Sequence, residues 1–131
     1  MTEPFEYLDV ADLIELAKFL LGDPPPIRDV GLLAAAVARP QATAFGEDAY
    51  LDVWSKAAAL LQSVVKNHAL VDGNKRLGWL ATATFLELNG VDVSRISNDD
   101  AFDLVTGLAA RDQEIAELAA ELQRLSGLAS H

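Results

Sequence analysis

Apolar residues recur at intervals of three and four along nearly the whole chain, the spacing of one face of an α-helix rather than the alternation of a strand. Val10, Leu13, Ile14, Ala17, Leu20 and Leu21 form the first stripe, which Asp9 or Asp12 can cap and Gly22 ends. Asp23-Pro24-Pro25-Pro26 cannot continue that helix. Val30, Leu33, Ala34 and Val37 predict a short second helix closed by Pro40. Residues 39–47 carry no stripe and form the one irregular segment of any length. Trp54, Ala57, Ala58, Leu61, Val64, Val65 and His68 predict a third helix from about Asp48 to Asn67. Leu77, Leu80, Ala81, Thr84, Phe85 and Leu88 predict a fourth from about Gly73 to Asn89, with Asn89-Gly90 as its stop. Both are apolar on more than one face and so belong at the buried centre. Val91-Asp92-Val93 is a short extended link. Ser97-Asn98-Asp99-Asp100 reads as the cap of a fifth helix with Phe102, Val105, Leu108 and Ala109 inward. A sixth carries Ile115, Leu118, Ala119, Leu122 and Leu125 and ends near Gly127. With no internal repeat and no clear strand alternation, the pattern predicts a compact all-α bundle of about six helices, residues 1–131 forming a single domain.

Charge and composition narrow the function. Ten Lys and Arg against 20 Asp and Glu leave a net charge of −10, the wrong sign for a duplex-binding surface, so direct nucleic-acid binding is not expected. There is no cysteine, hence no disulfide framework and no thiolate nucleophile or metal ligand. No run approaches the roughly 18 apolar residues of a membrane span. The start, Met-Thr-Glu-Pro-Phe-Glu-Tyr, lacks the basic and apolar regions of a signal peptide, so a soluble cytoplasmic protein is expected. Apolar residues at 51 % are somewhat high for a small soluble chain and hint at an exposed apolar groove.

The chemistry concentrates between the third and fourth stripes, in His68-Ala69-Leu70-Val71-Asp72-Gly73-Asn74-Lys75-Arg76. The pattern makes His68 the close of one helix and Asp72–Arg76 the first turn of the next. A helix N-terminus offers free N–H groups and a partial positive charge to an anion. Gly73 permits close approach to the backbone, Asn74 adds an amide, and Lys75 and Arg76 add full charges for phosphate oxygens. Each piece also has an ordinary reading. Asp72 and Arg76 stand at (i, i+4), a pair that supports any exposed helix, and His68 continues an apolar stripe as a hydrogen-bonded core histidine would.

The same nine residues resemble the signature of the Fic/Doc superfamily, and within it of the Doc (death-on-curing) toxins, whose motif runs His-x-Phe-x-Asp-Ala/Gly-Asn-Lys-Arg. The similarity extends from about Ile27-Arg28-Asp29 through Leu88-Asn89-Gly90-Val91 to the last helix. Leu70 stands where the family usually has Phe, an apolar position expected to anchor the loop in the core. The resemblance implies a Fic/Doc helical fold in which His68 takes a proton from a target hydroxyl and Asp72 holds Mg²⁺ with the phosphates of ATP. It implies that Gly73 and Asn74 cradle the transferred phosphoryl group while Lys75 and Arg76 balance charge on the nucleotide. It also implies that residues 39–47 form a flap that positions the target. Relatives with Gly-Asn-Gly-Arg and a second Arg three residues on transfer AMP; here Lys75 and Trp79 occupy those places, as in Doc. The expected activity is therefore transfer of the γ-phosphate of ATP to a translation factor, elongation factor Tu. The expected partner is a Phd-like antitoxin whose apolar C-terminal helix lies in a groove. AMP transfer and an inactive scaffold that only binds a partner are the alternatives. Self-inhibited relatives carry a Ser/Thr-x-x-x-Glu-Gly/Asn helix; the nearest match, Thr43 with Glu47, is followed by Asp48 and lies beside Gly46.

Overall fold

A computed structural model describes residues 4–127. Six helices carry the fold: α1 (Val10–Leu21), α2 (Val30–Ala38), α3 (Val53–Asn67), α4 (Asn74–Leu88), α5 (Asn98–Ala110) and α6 (Ile115–Leu125). Four begin on a side-chain cap. Asp9 and Asp12 form a reciprocal capping box at α1, and Asp29, Asp52 and Ser97 accept the backbone N–H of Leu32, Ser55 and Asp100. The α4 start has no such cap.

Helix α3 is the centre. It packs against α2, α4, α5 and α6, and it buries Ala57, Ala58, Leu60, Leu61, Val64 and Val65. Gly78 lets α4 approach it closely: a Cβ there would stand 2.8 Å from Val65 Cγ2 and 3.3 Å from Leu61 Cδ1. Phe85 and Leu86 of α4, Leu108 of α5 and Leu118 and Leu122 of α6 complete the core around them.

Three expectations change. The third helix starts at Val53 rather than near Asp48, because Glu47–Asp48 (β2) pairs antiparallel with Thr43–Ala44 (β1). Residues 39–48 are thus structured: a 3-10 turn at Arg39–Gln41, then a hairpin whose tip, Phe45-Gly46, has φ of 55° and 81°. Positive φ at both tip residues matches the twist of a two-residue hairpin. Lys56 of α3, wholly buried, anchors this segment: its Nζ donates to the Pro40 carbonyl at 3.1 Å, lies 3.6 Å from Asp48 Oδ2, and faces the rings of Phe5 and Tyr7. Finally, α5 turns Ala101, Leu104, Val105 and Leu108 inward and leaves Phe102 and Ala109 exposed. Two stripes one residue apart both satisfy helical spacing, and only packing against α3 and α4 selects between them.

Candidate active site

Helix α3 ends at Asn67, and His68 turns the chain with φ 53° and ψ 47°. That left-handed geometry costs a non-glycine residue about 1–2 kcal/mol. Several contacts hold it. The Arg28 guanidinium donates to the His68 carbonyl. The N–H groups of Arg28 and Asp29 both donate to the Ala69 carbonyl, at 2.8 and 3.1 Å, and Val71 N–H donates to Pro26 at 2.8 Å. Ile27 and Leu70 form a β-bridge, and Leu70 is buried at 2 % exposure, the anchoring role expected of that position. The proline-rich stretch after α1 is therefore the wall against which the motif loop is paired.

Asn74 closes the loop from the other side. Its Oδ1 accepts Leu70 N–H and its Nδ2 donates to the Leu70 carbonyl, both at 3.0 Å. Its amide is thus a brace, and what it adds to an anion cradle is chiefly its backbone N–H. Gly73, the N-cap, has φ 89°, and a Cβ there would meet Leu21 Cδ1 at 2.8 Å. Glycine is required by the backbone angle and by the end of α1, whatever a ligand adds. Asp72 precedes the cap, so it lies in the loop and not in the first turn as its sequence position suggested.

His68, Asp72, Gly73, Asn74, Lys75 and Arg76 line one cavity of about 330 Å³, with Val65, Val71 and Ala109 as its apolar wall. All six predicted site residues are brought together. The His68 ring is exposed, which removes the core-histidine reading. Among the described residues no hydrogen bond or ion pair engages the side chains of His68, Asp72, Lys75 or Arg76, and Asp72 and Arg76 do not pair. The first bond of α4 is Leu77 N–H to the Gly73 carbonyl, which leaves the N–H groups of Asn74, Lys75 and Arg76 without helical partners. A base, a carboxylate, two cations and three backbone donors thus share one opening. Among the described residues no three His, Asp or Glu side chains converge as a metal cluster. The donor set fits Mg²⁺ held by one carboxylate together with nucleotide phosphates, not an all-protein metal site.

Elsewhere, Glu15 raises Lys18 above its usual value and the Ser94 backbone N–H lowers Asp92; both groups are exposed and line none of this cavity. The hairpin is likewise absent from its lining. The sequence singled out Arg28 only as part of a resemblance. A cation directly before the Asp29 cap was the available signal, but the carbonyl it holds lies 40 residues on.

The model of the Fic/DOC family matches residues 7–86, which include the whole motif and end within α4. The chain is 52 % identical over 118 residues to the protein named Toxin Doc from Mycolicibacterium smegmatis, covering 89 % of this chain and 91 % of that one. It is 31 % identical over 108 residues to the protein kinase doc of Escherichia phage P1, covering 82 % and 83 %.

Proposed function

This chain belongs to the Fic/DOC family, among its Doc toxins, and from that premise we propose that it transfers the γ-phosphate of ATP to a hydroxyl of a translation factor of the elongation factor Tu class. The observation that carries the reading is the shared cavity at the uncapped start of α4, where the side chains of His68, Asp72, Lys75 and Arg76 have no hydrogen-bond or ion-pair partner among the described residues. The kinase name of the phage relative supports the same reaction class.

In this mechanism an imidazole nitrogen of His68 takes the proton of the target hydroxyl, whose oxygen attacks the γ-phosphorus. The bond to the β,γ-bridging oxygen breaks and ADP leaves. The N–H groups of Asn74, Lys75 and Arg76 receive the transferring group's oxygens, and the Lys75 and Arg76 side chains balance charge on the phosphates. Asp72 would hold Mg²⁺, which supplies further neutralisation of phosphate charge when bound. A helix terminus alone favours an anion by about 0.3–2 kcal/mol, too little for a polyphosphate, so the two cations are needed.

Two side chains support this orientation of ATP. Lys75 stands where AMP-transferring relatives have glycine, and Trp79 lines a neighbouring apolar cavity where those relatives place a second guanidinium. The terminal phosphate therefore faces His68. Incubation with elongation factor Tu and ATP labelled at the α or the γ position tests this. Label from γ alone is expected; label retained from α assigns AMP transfer instead.

A further inference from the structure

A cavity of about 480 Å³ borders the same end of α3 on a different face, where that helix meets the start of α6. Arg39 stands in it half-buried. Its Nε donates to Tyr50 Oη at 3.1 Å, and its Nη1 donates to Gln62 Oε1 at 2.9 Å and Ser63 Oγ at 3.0 Å. Those partners are all neutral. Among the described residues no carboxylate pairs with Arg39, and its Nη2 makes no hydrogen bond. A guanidinium withdrawn from water ordinarily has a counter-ion.

Gln113 borders the same cavity and is 7 % exposed, yet its side-chain amide has no partner among the described residues. It also borders a smaller cavity of about 240 Å³. Helix α6 begins beside it without a side-chain cap, and its first bond is Leu118 N–H to the Glu114 carbonyl. Lys66 adds a second cation; its Nζ donates to the Arg111 carbonyl at 3.1 Å and lies 4.0 Å from Asp112 Oδ1. The acids of this cavity, Asp112 and Glu114, are exposed. Two cations against two acids give no surplus for a phosphate dianion. An open guanidinium nitrogen beside an unpartnered amide suits a single carboxylate.

The chain places this cavity next to the reactive one. Asn67, the last residue of α3, borders it, and His68, the next residue, borders the other. Consecutive Cα atoms stand about 3.8 Å apart. We infer that this cavity is a specificity site for the protein substrate: it receives the carboxylate of an Asp or Glu side chain close in sequence to the hydroxyl offered to His68. The carboxylate would satisfy Arg39 Nη2 and the Gln113 amide together. Its assignment to the substrate rests on the proposed phosphotransfer; the carboxylate site itself does not.

N-acetylglutamate N-methylamide, titrated into the complete chain labelled with nitrogen-15, tests the site without enzymology. Saturable shifts of the Arg39 Nε–H and Gln113 side-chain amide signals are expected with this probe, and none with the neutral glutamine analogue. Gln113→Leu is expected to weaken the probe about tenfold. That variant keeps the Gln113 carbonyl, which accepts Gln62 Nε2 at 2.9 Å, and leaves the bonds of Arg39 in place. Absence of saturable shifts, equal shifts with the glutamine analogue, or tighter binding of inorganic phosphate overturns the carboxylate site. In phosphotransfer to elongation factor Tu, Gln113→Leu and Arg39→Gln should each raise KM for the factor about tenfold, with KM for ATP unmoved. Probe binding lost in Gln113→Leu while KM for the factor holds overturns the assignment to the substrate and leaves a site for a free carboxylate. If the unmodified chain transfers no label to the factor, the proposed target falls together with that assignment, and the titration still decides the carboxylate site.

Discussion

His68 occupies backbone geometry that it would not choose. The left-handed turn aims its ring away from the core stripe that the preceding helix predicts, and the loop bonds around it offset the cost. Because the ring is exposed and bonded to nothing among the described residues, His68→Ala should leave the melting temperature within a few degrees while reducing phosphotransfer by about 10²–10⁴-fold. Retained growth inhibition by this variant would remove His68 from the mechanism. Arg28 acts one step back, through the carbonyl of His68. Arg28→Ala is expected to lower kcat by on the order of ten- to a hundredfold with ATP affinity unchanged, since a misplaced base slows chemistry more than binding. Arg28→Lys should restore part of that loss. A change in KM for ATP alone would show that Arg28 serves the nucleotide and not the histidine.

At the scale of elements, the decisive contact is the close crossing of α3 and α4. These helices carry the two halves of the site, with His68 at the end of one and the proposed phosphate cradle at the start of the other. Their separation is set about one helical turn beyond Asn74, where Gly78 lies against Leu61 and against Val65, itself a wall of the His68 cavity. Gly78→Val inserts atoms where a Cβ already meets Val65 at 2.8 Å, and overpacking of this kind costs about 1–3 kcal/mol. Thermal denaturation should register that loss. Turnover should fall further than stability explains, because the shift is carried along α4 to Asn74. Activity that survives intact in the destabilised variant would show that the loop contacts of Asn74 and Arg28 hold the site without help from the helix crossing.

The whole molecule carries a net charge of −10, yet Lys75 and Arg76, which pair with no acid among the described residues, stand where a polyphosphate is proposed to bind. Exposed acids beyond about 8 Å are largely screened at physiological salt, so local charge would govern the proposed ATP binding. Under the proposed reading, inhibition comes from a separate chain. Thr43 and Glu47 lie on the two strands of a hairpin and not on a helix, so the nearest match to a self-inhibitory helix cannot act as one. Exposed apolar side chains, Val71 of the motif loop among them, suit a separate partner. Co-expression with an antitoxin carrying an apolar C-terminal helix should therefore yield a stable complex and restore growth. A purified chain that is inert alone and becomes active after trimming of its own terminus would contradict this.

Most of the architecture was determined by local pattern. Helical spacing, with the caps at Asp9 and Ser97, placed five of the six helix starts to within about a residue, because caps and periodicity are properties of neighbours in sequence. The motif likewise named every residue that lines the polar side of the His68 cavity, since a helix end, a loop and a helix start are contiguous. What only the tertiary structure decided involves partners distant in the chain. The hairpin at 43–48 and the late start of α3 depend on strand pairing and on buried Lys56. The phase of α5, which leaves Phe102 exposed, depends on packing against α3 and α4. The brace from Arg28 to His68 spans 40 residues and leaves no periodic trace. Asn74 reads locally as a donor to a ligand, yet its amide holds Leu70. A side chain's type states which bonds it is able to make, and the fold decides which of them are already made.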